Sequence, residues 1–223
     1  MMFFLGVSCL KGFCSVTFIN WFSLKFYNKM LTEVQGKRLL KLARDSIESW
    51  FDKKELDFSK EKKKFIQKQG VFVTLTENGH LRGCIGFPYP MLPLSEAIFQ
   101  AARAAAFDDP RFDALEKEEI DKINIEISIL TVPKEIKAKD ERILDEIVVG
   151  RDGLIVEANG CSGLLLPQVA TEWNFNALQF LEACCEKAGL GKKSWHNHDC
   201  KIFKFSAQVF SEGKLIDDLH EMT

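Results

Sequence analysis

The feature that most constrains the fold is a run of alternating apolar residues interrupted by Asn78–Gly79. Before that dipeptide, apolar side chains recur at every second position from Val71 to Leu75, and residues 80–85 supply a second extended run after it. Asn-Gly accepts the positive φ angles that a two-residue type I′ turn requires. The pattern therefore predicts an antiparallel β-hairpin whose register is set by its turn.

Helical patterns lie on both sides of this hairpin, and together they favour an α+β fold. Upstream, Thr32 and Gln35 match a capping box that begins an amphipathic helix reaching Phe51. Downstream, the alanine-rich segment 94–107 predicts a helix that packs closely against its neighbour. Because helices and hairpins follow one another without a regular alternation, we expect antiparallel or mixed sheets flanked by helices.

Shorter patterns predict the remaining elements. The isoleucines from Ile123 to Ile129 alternate with polar residues, which is typical of a strand with one buried face. The C-terminal half is expected to contain short strands, two helices and a last alternating strand. Their predicted ranges are 147–149, 154–157 and 164–166 for the short strands, 168–172 and 176–188 for the helices, and 203–209 for the last strand.

The composition is that of a globular protein, and its charge balance gives no strong sign of a nucleic-acid partner. Thirty basic residues stand against 32 acidic ones, for a net charge of −2, whereas nucleic-acid-binding domains usually carry a basic surface. The seven cysteines have scattered spacings and no CxxC pair, which argues against a secreted disulfide framework and a zinc ribbon. We expect reduced thiols, most of them buried.

The first 29 residues form an apolar extension that is rich in phenylalanine. Lys11 and Lys25 enclose only 13 uncharged residues, fewer than the roughly 20 needed to span a bilayer. No cationic residue precedes the apolar stretch, and no small-residue cleavage site follows it. We therefore interpret residues 1–29 as an extension or a mis-assigned start, place the domain at residues 30–223, and predict a cytoplasmic location without a membrane span.

Residues 81–86, LRGCIG, are the strongest candidate for a functional site. In an extended strand alternate residues share a face, so Arg82 and Cys84 are expected to project together. Leu81 and Ile85 then enter the core. A guanidinium close to a thiol favours the thiolate, which would lower the pKa of Cys84 and make it a candidate nucleophile.

Neighbouring glycines and charged residues extend this candidate site. Gly83 and Gly86 would leave the backbone open to a ligand, and an anionic ligand would meet Arg82 as its anchor. Asp109 and Arg111 lie in the sequence DDPRF. They either form an ion pair that caps the preceding helix or line a pocket together with Arg82.

Two further groups of residues are candidates for catalysis or metal binding. Glu172 lies beside apolar residues and is a candidate for proton transfer, unless it pairs with an arginine. His196, His198 and Cys200 would share one face of an extended segment and include good zinc ligands. Exposed loop histidines are the simpler interpretation, because further ligands at recognisable spacings are missing, and we predict no metal site. No motif identifies a cofactor.

Seven sequence blocks resemble, in order, those of the AMMECR-one domain family. Their agreement extends over residues 30–210, leaving out the apolar extension, and the chain is identified as a member of this family, similar to protein A of the AmmeMemoRadiSam system. The blocks are GVFVTL (70–75), LRGCIG (81–86), DDPRF (108–112), EISIL (126–130), GRDGLIVE (150–157), GLLLPQVATEW (163–173) and CEKAGL (185–190).

The resemblance implies an α+β fold with two unequal subdomains that meet at a cleft near LRGCIG. It also implies a partnership with Memo-type and radical-SAM proteins, with which microbial relatives are discussed. The positions that it places at or near a site are Arg82, Gly83, Cys84 and Gly86, with Asp109, Arg111 and Glu172 as neighbours.

These observations leave two functions open. In the first, the chain is an enzyme or enzyme component that binds a small anionic ligand, with Arg82 as anchor and Cys84 as nucleophile. In the second, it is a non-enzymatic protein-interaction module in which LRGCIG is structural. On that interpretation Cys84 only packs, and Arg82 pairs with a buried carboxylate.

Overall fold

A computed structural model describes residues 30–213, which form two compact units. Within the described residues, the larger unit comprises residues 30–132 and 208–213, and the smaller comprises Pro133–Ala207. The predicted apolar extension, residues 1–29, lies outside the described residues, as do residues 214–223. No helix within the described part has the length and apolar character needed to cross a membrane.

The structure contains helices and antiparallel strands in an irregular order, which confirms the predicted α+β class. Short 3₁₀ helices occupy Lys117–Glu119 and Lys192–His196. The α-helices are α1 (Glu33–Phe51), α2 (Ser59–Lys64), α3 (Leu94–Phe107), α4 (Arg142–Asp145), α5 (Pro167–Glu172) and α6 (Ala177–Lys187). The strands are β1 (Gly70–Glu77), β2 (His80–Phe87), β3 (Ile123–Leu130), β4 (Lys134–Glu135), β5 (Asp152–Ala158), β6 (Cys161–Leu165) and β7 (Lys201–Ser211).

In the larger unit, β1 pairs with β2 on one side and with β3 on the other, so β2 lies at the edge of this sheet. Val73 and Leu75 of β1 and Ile125 and Ile127 of β3 are fully buried. They share a core with the alanine face of α3, including Ala101, and with the apolar face of α1. The alternation seen in the sequence thus directs one face of the sheet toward these two helices.

The predicted hairpin is confirmed, and its turn has the expected backbone. Asn78 and Gly79 have φ angles of 51° and 79°, and Glu77 and His80 face each other across the turn. Both central residues therefore have the positive φ that a type I′ turn requires.

A β-bulge follows this turn and changes which side chains enter the core. Thr76 lies opposite Leu81, but Leu75 lies opposite Gly83, so Arg82 is an extra residue on β2. Leu81 therefore shares the face of Thr76, whereas Ile85 packs against the core. The prediction that Leu81 enters the core is wrong, because the extra residue shifts the alternation by one position.

In the smaller unit, β7 pairs with β4 and β5, and β5 pairs with β6. Leu154 and Phe180 are fully buried in its core, between β5 and α6. The strand predicted at residues 147–149 is absent. There the backbone N–H of Val148 donates to a carboxylate oxygen of Asp152 at 3.0 Å. This hydrogen bond closes a turn at residues 148–152, which keeps the segment outside the sheet.

Candidate functional site

The backbone of Cys84 lies on the edge of β2, where residues of the loop after α3 cover it. Asp109 Oδ2 accepts the Cys84 N–H at 2.8 Å, and Arg111 Nη2 donates to the Cys84 carbonyl oxygen at 3.2 Å. We call Asp109 and Arg111 the edge pair. Because open strand edges invite pairing with other chains, the edge pair protects the sheet at this position.

The edge pair is itself a forked ion pair. Arg111 Nε donates to Asp109 Oδ1 at 2.8 Å, and Arg111 Nη2 donates to the other carboxylate oxygen. Burial by itself would raise the pKa of Asp109, which is only 4% exposed, but hydrogen bonds from Arg111 and the Cys84 amide outweigh burial and lower the pKa. The ion pair predicted in DDPRF is present, and it contacts β2.

Arg82 is held by a second forked ion pair, with Glu119. Arg82 Nε and Nη2 donate to the two carboxylate oxygens of Glu119 at 2.7 and 2.9 Å, and Nη1 donates to the carbonyl oxygen of Asp113 at 2.9 Å. The hydrogen bond with Glu119 raises the pKa of Arg82, and the same bond lowers the pKa of Glu119. The positive charge of Arg82 is thus compensated by a carboxylate that the sequence did not identify.

The two glycines of the segment are required by close packing within the protein. A Cβ atom on Gly83 would lie 2.1 Å from the backbone oxygen of Ala105 in α3. A Cβ atom on Gly86 would lie 2.2 Å from the backbone oxygen of Val71 and 2.5 Å from Cγ of Phe72. At Gly83 the space that a side chain would need is therefore filled by α3 rather than left open to a ligand.

The thiol of Cys84 is half-buried and lies beside a hydroxyl group. Thr74, directly opposite on β1, donates from Oγ1 to Cys84 Sγ at 3.2 Å. Since the Cys84 backbone groups point away from β1, this pair is of the non-hydrogen-bonded type, in which side chains approach most closely. On the other side of Thr74, β3 places Glu126, so Cys84, Thr74 and Glu126 form a row across one face of the sheet.

An open cavity of about 440 Å³ lies beside the edge pair. Arg111 Nη1 forms no hydrogen bond with any of residues 30–213, so its two N–H groups are available to a ligand. The cavity therefore presents guanidinium donors whose orientation is already fixed by carboxylates. Its lining residues are Arg82, Pro110, Arg111, Phe112 and Asp113.

The other candidates lie in the smaller unit. Glu172 is exposed at the C-terminal end of α5. His196 stacks on Trp195, while His198 and Cys200 follow the 3₁₀ helix. Across residues 30–213, no group of three or more histidine, cysteine or acidic side chains is arranged to hold a metal ion.

The expectation of buried thiols is confirmed for two cysteines of α6, whereas the other described cysteines, Cys84, Cys161 and Cys200, are half-buried. Cys184 and Cys185 are fully buried, and burial raises the pKa of each to about 12. Their thiols are therefore protonated and shielded at neutral pH, which makes them packing residues rather than nucleophiles.

Comparison with known proteins agrees with this architecture. The family model AMMECR1 matches residues 40–210. Protein Mbar_A1807 of Methanosarcina barkeri is 45% identical over 188 residues, which are 82% of this chain and 93% of that protein. Protein TV1384 of Thermoplasma volcanium is 45% identical over 179 residues, 79% of this chain and 89% of that protein.

A solved structure shows the same fold. The crystal structure of protein PH0010 from Pyrococcus horikoshii matches with a TM-score of 0.78 at 44% sequence identity, covering 82% of this chain and 93% of that one. The matched residues include β2, the edge pair and most of both units. The chain therefore belongs to the AMMECR1 family.

Proposed function

We propose that this chain is a ligand-binding protein whose cavity beside the edge pair takes a small anionic ligand. The observation that carries the proposal is that Arg82 and Arg111 line one cavity, each oriented by a carboxylate. A guanidinium that is already fixed loses little conformational freedom on binding. Its unused N–H groups match the oxygens of a carboxylate or phosphate.

Arg111 is the better anchor of the two, although the sequence pointed to Arg82. The forked edge of Arg82 is occupied by Glu119, and its Nη1 already donates to Asp113. Arg111 keeps both hydrogens of Nη1. Because Asp109 and Glu119 compensate both cations, we expect attraction by directed hydrogen bonds at short range, without long-range electrostatic steering.

Anion binding by the full chain tests this proposal, with inorganic phosphate and succinate as probes. We expect saturable shifts of the Phe112 and Asp113 amide signals in NMR titrations. Arg111→Gln should weaken binding at least about tenfold, because a charge-assisted hydrogen bond contributes about 1.5–3 kcal/mol. The matched control is Arg151→Gln, which removes an arginine paired with an adjacent aspartate outside this cavity.

Two outcomes would overturn the anion site. One is that neither probe gives a saturable shift with the full chain. The other is that Arg111→Gln binds as tightly as the unaltered protein. Since Arg111 also holds the edge of β2, each variant is first checked for a native amide spectrum. Arg82→Gln serves as a second variant of the same cavity.

A nucleophilic Cys84 is a second proposal for the same region. It is supported by the Thr74 hydroxyl, which donates to Cys84 Sγ, because a hydrogen bond to sulfur favours the thiolate. Arg82 is paired with Glu119, so its guanidinium is not free to stabilise a Cys84 thiolate. In this proposal the neutral Thr74 hydroxyl stabilises the thiolate instead. The chain would then be an enzyme or enzyme component, and the anion bound at Arg111 would be its substrate.

Thiol alkylation by iodoacetamide as a function of pH tests this second proposal. We expect Cys84 to react with a midpoint below the free-cysteine value of about 8.5, and Thr74→Val to move that midpoint upward. Cys184 and Cys185 provide an internal reference that stays unmodified in the folded protein, since the pKa of each is raised to about 12 by burial. An inert Cys84, or one that titrates like free cysteine, eliminates the nucleophile and leaves the anion site untouched.

The interaction-module alternative is supported by different contacts. Gly83 packs on α3, Arg82 binds Glu119, and Asp109 binds the edge of β2. Each contact gives the LRGCIG segment a structural role without any ligand. The partnership with Memo-type and radical-SAM proteins, the cytoplasmic location and a catalytic role for Glu172 remain predictions.

A further inference from the structure

A second surface of the larger unit combines aromatic rings with an arginine. Phe99, Arg103 and Phe107 repeat at every fourth position of α3, beside the alanine face that enters the core. Trp50, near the end of α1, stacks on Phe107 with ring centres 4.9 Å apart, and it remains 53% exposed. We call Trp50, Phe99, Arg103 and Phe107 the aromatic–arginine patch.

The guanidinium of Arg103 is fixed within this patch. Its Nε donates to the backbone oxygen of Ser46 at 3.0 Å, and its Nη2 donates to Ser49 Oγ at 3.1 Å. Its central carbon lies 4.3 Å from the ring centre of Phe99 and 5.6 Å from that of Trp50. These contacts use one edge of the guanidinium, so the edge formed by Nη1 and Nη2 keeps an N–H on each nitrogen.

Arg103 has no carboxylate partner within residues 30–213, in contrast to most arginines of the chain. Burial lowers its pKa, and no acidic group opposes that effect. Five of the six other arginines in the described chain form ion pairs, namely Arg38 with Glu61, Arg44 with Glu212, Arg82 with Glu119, Arg111 with Asp109 and Arg151 with Asp152. Arg103 is therefore a partly desolvated cation with an unfilled fork.

We infer that the aromatic–arginine patch docks a segment of a partner protein that presents an aspartate or glutamate beside an apolar side chain. The carboxylate accepts two parallel hydrogen bonds from Nη1 and Nη2 of Arg103, because the spacing of its oxygens matches that of the two N–H groups. The apolar side chain covers the exposed part of Trp50. Tryptophan and arginine dominate the binding energy of protein interfaces, and here Arg103 is already held in place.

The charges around the patch favour an acidic protein segment over a nucleic acid. Lys62 pairs with Glu96, and Lys117 pairs with Asp52, so these two cations are compensated. Lys53 and Lys54 are exposed cations at the end of α1, where their backbone N–H groups donate to Trp50 and Ser49. Single-stranded nucleic acid needs several cations along a groove to follow its phosphates. One unpaired guanidinium beside one exposed indole matches a single carboxylate with an apolar neighbour instead.

This surface is separate from the cavity beside the edge pair, since the two share no residue. Selection of a random twelve-residue peptide library displayed on phage, with the full chain as target, tests the inference. We expect enriched peptides to carry Asp or Glu within four positions of an aromatic or aliphatic residue. In fluorescence anisotropy, Arg103→Gln and Trp50→Ala should each weaken the binding of such a peptide about tenfold.

Arg38→Gln is the matched control, because Arg38 is an arginine of α1 that already pairs with Glu61, and it should leave peptide binding unchanged. Trp50→Ala removes an exposed side chain, so it carries the test if Arg103→Gln does not fold. The inference is overturned by the absence of enrichment, by peptides without acids, by unaltered binding to both variants, or by a poly-uridine oligonucleotide that binds more tightly through these residues.

Discussion

Gly83→Ala is expected to destabilise the protein by about 3 kcal/mol or more, a large fraction of the stability of a typical domain. The added Cβ would lie 2.1 Å from the backbone oxygen of Ala105. That oxygen belongs to a helix whose alanine face is fully packed against the sheet, so it has no room to retreat. Urea unfolding followed by circular dichroism measures the loss.

Gly191→Ala supplies the control for this substitution. A Cβ atom on Gly191 would lie 3.6 Å from Ser194 Oγ, an ordinary contact, and its backbone is extended with φ of −66°. We expect its free energy of unfolding to change by less than about 0.5 kcal/mol. If Gly83→Ala were as stable as Gly191→Ala, the close approach of α3 to β2 would not exist in solution.

Local chemistry was sufficient to predict much of the larger unit. The Asn78–Gly79 turn, the alternation of β3 and the alanine-rich face of α3 each depend on neighbours in the sequence, and all three are present. The strand predicted at residues 147–149 is wrong because a local contact was overlooked. A hydrogen bond to the side chain of Asp152 competes there with strand pairing.

The bulge at Arg82 explains why part of the candidate site was not predicted. Counting back from the turn without a bulge pairs Thr74 with Gly83, so Thr74 did not appear as a neighbour of Cys84. The extra residue moves the register by one, and Thr74 then lies opposite Cys84. Bulges depend on the packing of the whole sheet, and the sequence of a single strand carries little signal for them.

Glu119 was missed because its partnership with Arg82 is set by tertiary structure. It lies 37 residues from Arg82 along the chain, in a charged stretch with several equivalent acids. Asp109 and Arg111 were identified because aspartate, proline and arginine this close predict an ion pair at a turn. The sequence could not show that this pair contacts the edge of β2, and that contact is what joins the DDPRF block to the LRGCIG block.

Asp109→Asn is expected to destabilise the protein by about 3 kcal/mol at neutral pH. The substitution removes the charge that compensates Arg111 and weakens the acceptor of the Cys84 N–H. Removing one member of a buried ion pair is costly because the other charge stays desolvated. The matched control is Asp45→Asn, whose carboxylate forms an i,i+4 surface pair with Lys41, and we expect a change below about 0.5 kcal/mol there.

The pH dependence separates a charge effect from a packing effect at Asp109. Its pKa in the folded protein is lowered, so its stabilising contribution is present above the unfolded value of about 3.9 and is lost as pH falls through the folded pKa. The difference in free energy of unfolding between the unaltered protein and Asp109→Asn should therefore be constant from pH 7 to about 5. It should shrink below that, because the carboxyl becomes neutral in both states. A difference that is as large at pH 3 as at pH 7 would assign the effect to altered packing, and the ion pair would then not be what holds the edge of β2.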